Sequence, residues 1–535
     1  MSGALFANIL LQVVPSPTPN GVPGAGIFQS SYVLSLSIWI PVAMAAAIGV
    51  MPNPRGRYDV LIRQIAFFTN LGILFLLFIA YNQFEAFLPN VQYEEKIAWL
   101  PTLGAVYHLG VDGPGMVMMI LSGLVGIIAV LASRGIRERV RSYYVLLLLS
   151  QASVNGAIAA HDLFVLVLFW SAAIVPIALL ILGWGGARRQ PAAWRFVGYW
   201  GAGSMALMLA VLGIYAASGG SSFDMDVVLK SPLAPRAEVI VGIVILIAAA
   251  TRLPIFPLHG WARDVYSEAP LGVVVLVAST GSRLGAYVML RMLVGAEPDG
   301  AKLLSPLIAA LAALTVIYGA AAALRSTDLR HAGAYLALIP GGMTALGLAA
   351  LTPLSLMGSV FALFTGGLAS ALITCTFTTV ADRAQTRSIA LLSGVGPRMP
   401  KLAWITVMAA LGLLGVPLMA TFMSNVMTFF GAFKTQPVGA FAVAVGLALT
   451  AVTLAVLVQR VLFGAPNPDA PAVSDASLGE TWYLGLIAGA LLWVGIVPGG
   501  PKLPGTDQPL FDPGIANVMG ANVPEIAAPY TGAGP

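Results

Sequence analysis

The chain has 535 residues, 58% hydrophobic and 9% charged, with a formal net charge of +5 and a mean hydropathy of +0.89. Soluble domains carry about 25% charged residues, so this composition excludes a water-soluble fold and indicates an all-α polytopic membrane protein. Continuous apolar blocks exclude a transmembrane β-barrel, whose strands alternate. The single cysteine, Cys375, excludes an intrachain disulfide and a cysteine-ligated metal or iron–sulfur centre.

Residues 1–31 include "PSPTPNGVPGAG", lack the basic start of a signal peptide, and read as an irregular extracytoplasmic segment. About fourteen apolar segments follow, each near the ~20 residues needed to cross a bilayer. They are 32–51, 59–81, 114–132, 142–160, 162–183, 195–217, 237–257, 270–294, 303–324, 332–350, 354–380, 402–430, 437–459 and 480–498, with a tail to 535. Loops after odd-numbered spans hold about 17 of the 27 Lys and Arg, and those after even spans about six. The excess of positive charge marks the cytoplasmic side. Odd-span loops therefore face the cytoplasm, and both termini face outward. The charge reflects orientation in a lipid bilayer and not nucleic-acid binding.

Two spans are broken by proline: span 7 by Pro254 and Pro257, span 12 by Pro417. Spans five apart run in opposite directions, so the paired breaks predict an inverted repeat, with 142–294 matching 303–460. Such breaks are expected to face a cavity or the protein interior, because their freed carbonyls need partners.

Arg252 sits at the first break. Proline has no amide hydrogen, so the carbonyls of Ala250 and Leu253 lose their helical donors. A guanidinium has five donors, and Arg252 is expected to bind those carbonyls. Arg252 and Arg283 read as fixed charges of a central polar axis. His259 and Asp264 lie at the cytoplasmic mouth, as parts of a packed loop or as a proton-uptake site. The glycine pairs of "IPGGM" and "FTGGLAS" read as close helix contacts, and Gly366–Gly367 as a face for neighbouring helices or subunits. The 22 acidic residues fall in loops or at helix ends. The four histidines are scattered along the chain, so no metal site and no cofactor are expected in it.

"TRLPIFPLHGWARDVYSEAP" (251–270), "SRLGAYVMLR" (282–291), "LGVDGPG" (109–115), "STDLRHAGAY" (326–335) and "LGVPLMATF" (414–422) together resemble the antiporter-like membrane subunits of respiratory complex I, chain M in particular. "YEEKIAWLPTLGAVYHLGVDG" is similar to the extracytoplasmic hairpin before span 3, which places spans 1–3 and the hairpin in 32–132. The long lateral helix of chain L relatives is not expected, since the chain ends soon after span 14. The resemblance implies fourteen helices and two inverted five-helix bundles. It also implies a proton-translocating role in the membrane arm of an NADH–quinone oxidoreductase, beside other membrane-arm subunits of the cell's inner membrane.

The resemblance also implies ionisable residues that this chain replaces. The span 5 glutamate is Ser171, the span 7 lysine is Arg252, and the span 8 lysine is Arg283. Histidines of spans 10 and 11 are Pro340 and Gly366, and the ionisable residue of span 12 is Asn425. Arginine stays charged where a buried lysine can titrate, and the other replacements do not titrate. A structural or atypical role in translocation is therefore expected. The alternative is a stand-alone or multisubunit cation/proton antiporter.

Overall fold

The computed structural model describes residues 32–85, 91–228, 233–465, 473–496 and 523–531. The expectation for residues 1–31 lies outside the described residues, as does most of the tail. Helices occupy every predicted span. In chain order they are α1 Val33–Val50, α2 Asp59–Asn82, α3 Gly113–Ala132, α4 Val140–Ala159, α5 Leu163–Trp184, α6 Arg189–Ala217, α7 Pro235–Arg252, α8 Gly260–Glu268, α9 Leu271–Val294 and α10 Pro298–Arg325. They continue as α11 Leu329–Ala350, α12 Pro353–Arg383, α13 Pro400–Leu414, α14 Ala420–Thr435, α15 Pro437–Phe463, α16 Leu478–Ile496 and α17 Val523–Thr531.

Among the described residues, eleven helices are long and apolar enough to cross a membrane. The other three predicted spans have physical reasons to differ. Helix α4 carries Ser150, Gln151, Ser153 and Asn155, all buried. Spans 7 and 12 are each two shorter helices, α7 with α8 and α13 with α14, separated at the predicted prolines.

Enclosure is uneven. Over the most apolar 18 residues of each helix, all are buried within the chain in α9 and 94% in α11 and α12, against 33% in α2 and 28% in α16. The outer helices present large apolar side chains such as Phe68, Phe75 and Trp404 outward, as a lipid-facing surface does. The enclosed helices instead carry the hydroxyls and arginines of the interior.

Helix starts follow local capping rules. Asp112, Asp162 and Asp328 accept backbone N–H groups at the starts of α3, α5 and α11, and Thr352 with Ser355 forms a capping box on α12. Two of these caps share a wider geometry. Leu163 N donates to Phe223 O at 2.9 Å and Met225 N to His161 O at 3.1 Å, bracketing Asp162 and Asp224. Leu329 N donates to Arg387 O at 2.8 Å and Ile389 N to Thr327 O at 3.0 Å, bracketing Asp328 and Ser388. The same two-bond bridge thus ties the starts of spans 5 and 10 to the loops that follow spans 6 and 11.

The hairpin predicted before span 3 is present. Strands β1 Gln92–Leu100 and β2 Ala105–Val111 pair antiparallel, with Lys96 opposite His108. Buried Glu95 receives Leu34 N at 2.8 Å, which places a carboxylate on the N-terminus of α1, where the helix dipole favours it. Helix α17 docks at the same end through Tyr530, whose hydroxyl donates to Val294 O at 2.6 Å.

Helix α9 packs against the break after α7 through Gly285. A Cβ there would lie 2.5 Å from Ala249 O and 2.7 Å from Leu253 N, both backbone atoms that cannot swing aside. Gly285→Val is expected to abolish assembly or lower the melting temperature by more than 10 °C. Gly201→Ala, with nothing within 4 Å of its Cβ, should leave the melt unchanged. Thermal melts of the detergent-solubilised protein check both.

Candidate functional site

Arg252 ends α7 and is 0% exposed. Its guanidinium carbon lies 4.1 Å from the Trp170 ring and 3.9 Å from the Trp200 ring, and Nη2 donates to the Trp170 carbonyl. The expectation for its hydrogen bonds needs correcting. The Ala250 carbonyl accepts Ile255 N at 3.3 Å, and Trp261 Nε1 donates to Thr251 O at 2.7 Å. The amide one residue past Pro254 satisfies the Ala250 carbonyl where the guanidinium was expected to, and an indole satisfies the neighbouring Thr251 carbonyl. The break also borrows from α10, since Phe256 N donates to Thr315 Oγ1 at 2.9 Å. Arg252 is held by two aromatic faces and by α5 instead.

Ser171 follows Trp170 directly and is half-buried, two residues before the turn at Ala173 that divides α5. The position where the resembled family carries a carboxylate is therefore one residue from the arginine's acceptor. Pro254 is buried and Pro257 exposed.

Arg283, in α9, is 1% exposed. Its Nη2 donates to Ser370 Oγ at 2.9 Å and to Gly366 O at 3.2 Å, and Nη1 reaches Thr344 Oγ1 at 3.4 Å. Pro340 and Gly366 both face it. A Cβ on Gly366 would lie 3.1 Å from Pro340 Cβ and 3.7 Å from the guanidinium carbon. One on Gly367 would lie 3.3 Å from Arg283 Cγ. The glycine pair thus makes room for the arginine inside the chain and is not a face for another subunit. Beyond it the axis continues as hydroxyls, with Thr365 Oγ1 and Ser424 Oγ 3.2 Å apart.

Asn425 is half-buried beside Gly415, off this line. Pro417 and Leu418 are exposed. The second break therefore opens to the chain's surface, contrary to the expectation of an interior position, because α13 and α14 separate at its outer face.

His259 is buried against Phe256 and Tyr318, and its Nδ1 has no hydrogen-bond partner among the described residues. It borders a cavity of about 250 Å³ lined also by Arg195, Tyr199, Arg263, Tyr318 and Tyr335. Asp264 pairs with Arg195 and with Arg263, whose Nε lies 2.8 Å away. The Asp264 carboxylate is occupied by two cations, and its link to the His259 cavity runs through those two arginines, which line it. Among the described residues, the buried carboxylates are Glu95, Asp112, Asp162, Asp224, Glu238, Glu268 and Glu297. All lie in the hairpin, in loops or within the first or last turns of helices.

Residues 160–453 match the family described as NADH:quinone oxidoreductase/Mrp antiporter, TM. The chain belongs to this family. It is 31% identical to "NAD(P)H-quinone oxidoreductase chain 4 2" of Thermosynechococcus vestitus, covering 87% of this chain and 89% of the relative. It is 27% identical to "NAD(P)H-quinone oxidoreductase chain 4 1" of Microcystis aeruginosa, covering 87% and 90%. A chain of respiratory complex I from Thermus thermophilus with bound NADH superposes with a TM-score of 0.79 at 25% identity, over 92% of this chain and 99% of that one. A chain of the Mrp complex from Dietzia shares the fold, with a TM-score of 0.78 at 18% identity, over 93% and 98%. The chain is thus a multi-pass, antiporter-like membrane subunit of this family.

Sequence reasoning missed the group at the hairpin end. His108 and His161, 53 residues apart, have ring centroids 4.8 Å apart. Nδ1 of His108 lies 3.2 Å from Asp224 Oδ1, and Nε2 of His161 lies 3.2 Å from Asp226 Oδ1. Arg291 donates to His161 Nδ1 at 2.8 Å and sits 3.5 Å from Asp112. The sequence signal was "FDMD" at 223–226, acidic residues at a spacing that suits a turn, read only as loop.

Two predictions follow from this geometry. Arg252→Met removes two cation–π contacts, worth up to ~2 kcal/mol each when desolvated, and one hydrogen bond. It also removes a charge costing about 2.5–3.5 kcal/mol at a helix centre. These offset, so the melt should stay within a few degrees of wild type. Arg252→Ala leaves a cavity between two indoles and should cost about 2–5 kcal/mol, read as a far lower melting temperature.

The second concerns His161, in the turn between α4 and α5. Burial, then Arg291 and His108, push its pKa down to about 4. A folded pKa below the unfolded ~6.5 means the native state favours neutral imidazole. Its contribution to stability is full above pH ~6.5 and is lost as pH falls towards 4. His161→Gln should flatten the melting-temperature loss between pH 6.5 and 4, leaving the pH 8 value within a few degrees of its parent.

Proposed function

We propose that this chain is the chain 4 (chain M) type subunit in the membrane arm of a complex I-like quinone oxidoreductase, and that its central axis holds fixed positive charge instead of relaying protons. The subunit assignment is supported by 31% identity over nearly the whole length of a chain 4 relative. The axis assignment is carried by one observation: Arg252, stacked between Trp170 and Trp200 and bonded to a backbone carbonyl, has no carboxylate partner among the described residues. A relay group needs two protonation states of similar free energy. A guanidinium does not supply them, and the hydroxyls of Ser171, Thr344 and Ser370 do not titrate.

The domain reading belongs to this proposal. The matched bridges at Asp162–Asp224 and Asp328–Ser388 support two inverted units, 142–294 and 303–460, flanked by 32–132 and 480–535. Fourteen crossings in the cell's inner membrane follow, with both termini outside. Cytoplasmic arginines gather accordingly: Arg330 pairs with Asp382, and Arg387 with Glu268. Neighbouring membrane-arm subunits cover the outer helices, and electron transfer resides in other chains. An uptake path through this chain would start at His259 and its cavity.

The test is proton-to-electron stoichiometry in vesicles carrying the purified assembly. Arg252→Met and Arg283→Met, where assembled, should leave the ratio at its wild-type value. Normal assembly with a ratio lowered by one proton or more per electron pair would show that the axis conducts. Purification of the chain with cation/proton exchange activity and no redox subunits would replace the complex I assignment by the antiporter.

A further inference from the structure

The group at the hairpin end carries an arrangement that no relay or helix cap requires. His108 is 0% exposed. Its Nδ1 lies 3.2 Å from Asp224 Oδ1. A carboxylate beside Lys96 accepts and does not donate, so this nitrogen bears the hydrogen, and Nε2 is the ring position left for a ligand. That Nε2 is buried and has no hydrogen-bond partner among the described residues. Leaving such an acceptor unpaired costs about 1–3 kcal/mol, a cost that a ligand at Nε2 would remove.

Two carboxylates complete the picture. A ring nitrogen of His108 and carboxylate oxygens of Glu94 and Asp226 all lie within 4.8 Å of one another. Because Nδ1 is taken by Asp224, Nε2 is the nitrogen available to a ligand. Glu94 makes no hydrogen bond or ion pair among the described residues. The nearby cations are committed elsewhere: Lys96 to Asp224, and Arg291 to Asp112 and His161. Two carboxylates and one neutral imidazole balance a charge of +2.

We propose that Glu94, His108 and Asp226 form a binding site for a divalent transition metal of the zinc type, with Asp224 orienting the histidine. Imidazole with carboxylate suits zinc, cobalt or nickel better than calcium or magnesium, which take oxygen ligands. A carboxylate on the far nitrogen of a ligating histidine fixes its tautomer and raises its basicity, which is the place Asp224 holds. Ligands of tetrahedral zinc, bound at about 2.0–2.2 Å, stand about 3.3–3.6 Å apart. Closing from 4.8 Å asks for movement of about 1 Å: Glu94 is exposed and unpaired among the described residues, and Asp226 would give up or share its contact with His161 Nε2. His108 need not move. Water supplies the fourth position on the open side. The metal would join β1, β2 and the loop after α6, a structural clamp at one end of the first bundle.

The experiment uses the purified assembly, stripped with chelator and titrated with Zn²⁺ against a chromophoric competitor, and separately with Co²⁺ while following its visible absorption. Wild type should bind one tight equivalent that Glu94→Gln and Asp226→Asn each weaken at least tenfold. Asp224→Asn should weaken it by about 10–100-fold, as expected for a residue behind a ligand. Glu94 is exposed, so Glu94→Gln should assemble normally on native gels even if His108→Gln does not. Equal titrations of wild type and Glu94→Gln, or a Co²⁺ spectrum identical to that of the aqueous ion, would overturn the site. The proton-to-electron ratio plays no part in this readout, so the site and the fixed-charge axis stand or fall separately.

Discussion

A full positive charge buried in a bundle this apolar must be solvated by protein alone, and the fold is arranged around how that is done for Arg252. Two indole faces, from α5 and α6, take the place of water on either side of the guanidinium, and one carbonyl of α5 accepts a hydrogen bond from it. For the aromatic sandwich to close, α7 must end at that residue, which Pro254 enforces. For α7 to end in the interior, its last carbonyls must find donors, and Ile255 and Trp261 supply them. Gly285 then lets α9 lie directly on the exposed backbone of the break.

Arg283 repeats the problem with a different solution. Hydroxyls and a glycine carbonyl surround it, on helices that hardly touch the outside. Pro340 and Gly366 lie close beside it, and their small or rigid side chains leave the volume a guanidinium fills. The positions are coupled by space: a bulky residue at Gly366 and an arginine at 283 would compete for one volume.

Apart from Arg252 and Arg283, charge among the described residues gathers at the two ends for the same electrostatic reason. At one end Glu268, Arg387, Arg330 and Asp382 tie loops together. At the other, Asp112, Asp224, Arg291 and the paired histidines join the hairpin to the starts of α3 and α5. Between them the polar groups around the two arginines are, among the described residues, hydroxyls and backbone carbonyls.

Much of this was legible in the sequence, because it depends on local chemistry. Apolar runs of bilayer length, the breaks at Pro254 and Pro417, the two interior arginines and the capping aspartates are each set by neighbours within a turn or two. The hairpin of 92–111 was expected from the family resemblance alone. What the tertiary structure decided were partners distant along the chain. Trp170 and Trp200, 82 and 52 residues from Arg252, could not be paired with it by any periodicity, since both read as ordinary apolar anchors. His108 and His161 looked scattered because a β-bridge between Leu109 and Ala160, and not sequence spacing, brings them together. Whether a proline break faces the interior depends on which helices pack over it. Pro254 and Pro417 look alike in sequence and end on opposite sides of that divide, because burial is a property of the whole packing and not of the residue that bends the chain.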